Sequence, residues 1–127
     1  MKRVLVIEPD TFLAQVIRKV LASKGHQAEI VPDGSSALQL YVPGRFKLVT
    51  MAFYIGSIHC YQIARALKEQ CPSLPIVLIS STDGPESEDR EAGLFDARIA
   101  KPFHNQDLFD TVDRLCPVPR GGGIAEG

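Results

Sequence analysis

The chain lacks any apolar run approaching the roughly 18 residues of a membrane span, and its start, MKRVLVIEPD, sets two acids after an apolar stretch too short for a secretion-signal core. No segment is expected to enter a membrane. Cysteine is scarce: Cys60, Cys71 and Cys116 are an odd number without paired metal-ligand spacing, each within or beside an apolar helical pattern. Reduced thiols in a cytoplasmic protein are the expectation. Neither sign of charge is in excess, with 14 Lys and Arg against 15 Asp and Glu, and the charges are scattered. Without a basic face, direct binding of nucleic acid is not expected. One further absence needs the rest of the chain to interpret it. In and around KLVTMAFYIG (47–56), no Asp or Glu occurs between Arg45 and Glu69.

What is present is a cadence of short apolar runs and amphipathic stretches. At 127 residues the chain is long enough for one core burying roughly two-thirds of its unfolded surface. RVLVIE (3–8) reads as a strand stopped by Pro9, and Phe12, Val16, Ile17, Val20 and Leu21 then recur at helical spacing until Gly25. HQAEIV (26–31) is a second strand, closed by PDG and followed by a brief helix with Ala37, Leu38 and Leu40. FKLVTMA (46–52) is a third strand, with Ile58, Ile63, Ala64 and Leu67 marking the next helix. LPIVLIS (74–80) does not alternate, which implies burial on both faces. A weak polar helix within 84–93, a short strand ARIA (97–100) and a last helix with Leu108, Val112 and Leu115 complete residues 1–117. PVPRGGGIAEG has no periodicity, so 118–127 is expected to be a flexible tail or linker. Strands alternating with helices predict an α/β fold with a parallel sheet covered on both faces. Function then collects in loops after the carboxyl ends of the strands.

Together, VLVIEPD, PDGSSAL at 32–38, LPIVLISS at 74–81 and AKPF at 100–103 give the chain a resemblance to the receiver domain of two-component response regulators over 3 to about 116. The resemblance implies a flavodoxin-like (βα)5 three-layer sandwich with strand order 2-1-3-4-5. It also implies a site that takes a phosphoryl group from a histidine kinase onto an aspartate ending the third strand. Two acids after the first strand hold Mg²⁺ with the acceptor, a hydroxyl after the fourth strand takes a phosphoryl oxygen, and a lysine after the fifth neutralises another.

Carried over position by position, that pattern is met only in part. Lys101, with Pro102 and Phe103, matches the family lysine, Ser80 the hydroxyl, and Glu8 the first acid. Pro9 stands where the family has its direct metal-binding aspartate, and the acceptor position falls on Ala52. Gly56 and Ser57 replace the usual proline and glycine, and Arg98 replaces the aromatic residue that reports activation. The expected pocket of Glu8, Asp10 and Lys101 holds between zero and one net negative charge, so Mg²⁺ binding is expected to be weak or absent and no cofactor is assigned.

Each remaining residue has a plain reading beside a functional one. Lys101 is expected to turn to Glu8 or Asp10 rather than to an outside anion. Asp10, before Thr11, Phe12 and Leu13, reads as an N-cap before it reads as a metal ligand. Ser80 reads as a strand-end hydroxyl bonded to nearby backbone, with a switching role as the alternative. His59, Cys60 and His104 lack a fixed i, i+4 ligand pair, so they are not assigned to a metal. Tyr54, Ile55, Ile58 and Tyr61 divide between core packing and an exposed docking patch. The charges Glu86, Glu88, Asp89, Arg90, Arg98, Asp107, Asp110, Asp113 and Arg114 fall where the family makes its dimer or partner face, formed by the fourth helix, fifth strand and last helix. The resulting expectation is a non-enzymatic pseudo-receiver that binds protein partners, with a possible homodimer through that face. Apart from phosphorylation of Thr50, Tyr54, Ser80 or Ser81 by another class of enzyme, two rivals are a receiver still phosphorylated or metal-bound through other ligands and a flavodoxin-like small-molecule or cofactor binder. No Gly-rich phosphate loop follows the first strand to support the second.

Overall fold

The structure is a computed structural model that describes residues 2–81 and 93–116. The elements run β1 (Arg3–Ile7), α1 (Thr11–Ser23), β2 (Ala28–Val31), α2 (Gly34–Leu40), β3 (Phe46–Ala52), α3 (Cys60–Gln70), β4 (Ile76–Ser80), β5 (Ala97–Ala100) and α4 (Asn105–Leu115). All strand pairs are parallel, in the order β2-β1-β3-β4-β5. The expected helix at 84–93 and the tail at 118–127 lie outside the described residues.

Alternation within each strand splits the core into two layers. Leu5 and Ile7 of β1, Val49 and Met51 of β3, and Ile76 and Leu78 of β4 pack with Ala37 of α2 and with Ile63, Ala64 and Leu67 of α3. Their neighbours Val4, Val6, Leu48, Val77 and Ile79 pack on the other face with Ile17, Val20 and Leu21 of α1 and Leu108 and Val112 of α4. Fully burying one such side chain contributes about 1.5–3 kcal/mol. An exposed ion pair contributes only about 0–1 kcal/mol, so the core, not the surface charge, fixes where the strand ends sit.

Several boundaries differ from the sequence reading, each for a local reason. The second strand begins at Ala28, because the His26 amide donates to the Leu21 carbonyl and so belongs to the end of α1. The fourth begins at Ile76, because the Leu74 amide closes a turn onto the Cys71 carbonyl. Ile58 does not belong to α3: His59 is the N-cap, and its Nδ1 accepts from the Tyr61 amide at 3.1 Å. Phe12 shares the helical spacing of α1 but is 78% exposed, and the buried face of that helix is Ala14, Ile17, Val20 and Leu21.

Candidate functional site

The carboxyl ends of β1, β3, β4 and β5 surround a hollow of about 210 Å³ lined by Glu8, Pro9, Asp10, Ala52, Phe53, Tyr54, Ile79, Ser80, Ser81 and Lys101. The parallel sheet brings these residues together, as every strand delivers its last residue to the same edge. Glu8, Pro9, Asp10, Ala52, Ser80 and Lys101, which the sequence singles out as one site, all line it. Arg98 lies elsewhere, on β5 beside α4.

Among the described residues, Glu8 is the one carboxylate buried in the hollow, at 4% exposure, and both of its oxygens are engaged. Oε2 accepts from the Asp10 amide at 3.1 Å, and Oε1 faces Lys101 Nζ at 3.5 Å. The lysine therefore does turn to Glu8. Asp10 also lines the hollow, but its Oδ1 is taken up by the Phe12 and Leu13 amides at 3.0 and 3.1 Å, capping α1. Pro9 contributes no donor to the edge of the pocket. Ala52 ends β3 as a methyl group, 5% exposed. Ser80 is buried at the end of β4, and its carbonyl accepts from the Lys101 amide at 2.9 Å, tying β4 to the β5–α4 loop.

The loop after β3 divides as the sequence suggests, residue by residue. Ile55 is buried, while Tyr54 is 76% exposed at the rim. Ile58 and Tyr61 are partly buried against the α3 layer. Gly56 adopts a φ of +106°, a left-handed conformation suited to glycine, and the loop is pinned where the Ile55 carbonyl accepts from the Gly34 amide at 2.8 Å.

Sequence reasoning misses Phe53 and Ile79 as lining residues, and names Ser81 only as an available hydroxyl. Phe53 follows Ala52 directly, so the strand end is the signal that could place it at the pocket. Its contacts with Tyr54, His59 and Tyr61 have no such signal, since they depend on how the loop folds back. His59 and His104 serve their helices: beside the α3 cap, the His104 amide donates to Asp107 Oδ2 at 3.0 Å at the start of α4. Among the described residues, no group of three or more His, Cys, Asp and Glu is placed to hold a metal ion. No helix of the described residues is long and apolar enough to cross a membrane.

On the outer side of β5, a second cleft of about 490 Å³ is lined by Arg98, Ile99, Ala100, Pro102, Asp107, Asp110, Thr111 and Arg114. It gathers Arg98 of the fifth strand with Asp107, Asp110 and Arg114 of the last helix, whereas Asp113, expected with them, is not among its lining residues and acts on His26. The residues at 86–90 expected to join this face lie outside the described residues.

Comparisons with known proteins bear on the fold and the family. The transcriptional regulatory protein RprY of Bacteroides fragilis is 24% identical over 121 residues, covering 94% of this chain and 51% of that protein. The response regulator RppA of a Synechocystis species is 30% identical over 118 residues, covering 89% of this chain and 50% of that protein. The chain thus spans about half the length of the curated relatives it matches. The structure of response regulator TrrA from Thermotoga maritima, in complex with Mg²⁺ and BeF, superimposes with a TM-score of 0.83 at 21% identity, over 91% of this chain and 99% of that one. The model of the response regulator receiver domain family matches residues 4–113, and the chain belongs to that family.

Proposed function

We propose that this chain is a receiver that does not take a phosphoryl group and that signals by binding protein partners in a conformation set by its own sequence. The observation that carries this reading is the end of β3: the strand delivers a methyl group, Ala52, to the floor of the pocket. A methyl carbon has no lone pair with which to attack phosphorus. The donor set points the same way. Mg²⁺ parts with water reluctantly and wants one or two well-placed carboxylates. Here Glu8 already bonds Asp10 and Lys101, Asp10 caps α1, and position 9 is proline, so the residues present do not fit the ion.

An ordinary receiver depends on its phosphoryl group to shift its conformational equilibrium. In this chain a protein partner or an attached domain supplies the bias instead, in a cytoplasmic setting and without enzymatic turnover. One such partner is a second copy of this chain. The cleft beside β5 carries Arg98 and Arg114 together with Asp107 and Asp110, so one face offers both signs of charge for ion pairs with a second copy. Arg114→Glu is expected to weaken the dimer and Asp110→Lys in the same chain to recover part of it, as read by sedimentation equilibrium. Unchanged mass in both variants would remove this face from the account.

The direct test of the reading is incubation with acetyl phosphate and Mg²⁺ followed by intact-mass measurement. No adduct is expected. A phosphoryl adduct released by hydroxylamine, the signature of an acyl phosphate, would overturn it, whereas a hydroxylamine-stable adduct would move attention to Ser80, Ser81, Thr50 or Tyr54.

A further inference from the structure

We propose that a row of aromatic rings couples Tyr54, at the rim of the pocket, to Arg98 on β5, so that contact at one end is read at the other. The row starts with Tyr54 against Phe53, ring centroids 4.8 Å apart and planes at 84°. Phe53 meets His59 at 5.3 Å and 83° and Tyr61 at 6.2 Å and 86°. Tyr61 in turn packs on Phe95 at 5.9 Å, and the guanidinium of Arg98 lies over the Phe95 ring at 5.4 Å from its centroid. Every consecutive pair is in contact, from the β3 loop through α3 to the residues leading into β5.

The geometry makes this row a mechanical connection rather than a list of neighbours. The contacts of Phe53 are edge-to-face and that of Tyr61 with Phe95 is tilted at 53°, and in such pairs turning one ring swings its edge against the next. Packed interiors compress little, so such a turn is passed on instead of absorbed. The middle of the row is anchored: Phe95 belongs to the buried α3-side core, with Phe53 and Tyr61 packed against it. The first ring is not, since Tyr54 is 76% exposed and an occupant of the rim can reorient it at little cost. At the far end, the cation–π contact positions Arg98, which lines the cleft with Asp107, Asp110 and Arg114. Arg98 stands where the family resemblance places its reporting aromatic residue, and its guanidinium packs on Phe95. This gives a route from pocket rim to cleft that requires no phosphoryl group, and it holds whether or not the pocket accepts one.

Spatial succession alone does not establish coupling. The test uses the isolated chain with labelled arginine, following the Arg98 Nε and Cζ resonances. Tyr54→Ala is expected to shift both beyond their linewidths. In a Tyr61→Leu background the same replacement is expected to leave Arg98 unmoved. An Arg98 signal indifferent to Tyr54→Ala would overturn the coupling, and a shift of equal size in the Tyr61→Leu background would overturn the route. Should Tyr61→Leu lose the dispersed amide spectrum of the fold, Phe53→Leu interrupts the row one ring earlier and carries the same two outcomes.

Discussion

Pro9 and Ala52 stand where the family resemblance places two carboxylates, and on the reading proposed above those side chains separate a charge-managing site from a structural one. Ala52→Asp alone is expected to give no Mg²⁺-dependent labelling by acetyl phosphate, because Pro9 still denies the metal a ligand. Ala52→Asp with Pro9→Asp is the pair expected to label, and efficient labelling of the single variant would show that Pro9 matters little. At the opposite end of the sheet, His26 is buried and neither ring nitrogen has a hydrogen-bond partner among the described residues. Burial pushes its pKa below 6.5, nearby Lys47 adds to that, and Asp113 opposes it. The folded state thus disfavours the imidazolium that the unfolded chain forms readily, so stability is fully present above pH 6.5 and falls as the pH drops below it. His26→Leu is expected to flatten that slope in urea unfolding between about pH 7 and 5. An equal slope in both proteins would assign the pH dependence to other groups. Glu8, Asp10, Ala52, Ser80 and Lys101 are legible from sequence, because each sits at a strand end or cap with a fixed address. The meaning of His26 is not, because burial without a partner has no sequence signature.

Elements are legible where punctuation is strong and less so where caps compete with hydrophobic spacing. Asp10, Asp33 and His59 all start helices through their own side chains, and the hydrophobic spacing draws Ile58 into α3 only as long as the His59 cap is not recognised. Asp10→Ala is expected to cost about 1 kcal/mol in denaturant unfolding, because the α1 cap goes with the carboxylate. A change within error would mean that Glu8 holds the turn alone. Between α2 and α3 the packing is close: a Cβ at Gly34 would stand 2.6 Å from Ile63 Cγ1, and Ile63 is fully buried. Gly34→Ala is therefore expected to destabilise by about 1–3 kcal/mol, the usual range for overpacking. Ile63→Ala in the Gly34→Ala chain should then cost less than Ile63→Ala alone, measured as a double-mutant cycle. Full additivity would mean that the contact relaxes freely.

On the scale of the whole molecule, the fold follows from alternation of runs and turns, since a parallel sheet needs continuous apolar strands and long crossovers to join them. The site follows from the sheet, because its strand ends converge on one edge. The aromatic row and the charge-lined cleft do not follow: each joins residues from separate segments, and only the folded chain sets Phe95 beside both Tyr61 and Arg98. On the proposed reading the pocket takes neither a phosphoryl group nor its metal. This is tested most directly by a ¹H–¹⁵N correlation spectrum of the labelled chain, titrated with Mg²⁺ and then with beryllofluoride. No saturable shifts are expected at Glu8, Ala52, Ser80 and Lys101 at millimolar metal. Saturable shifts that begin in this pocket and spread to Arg98 and α4 would contradict that reading.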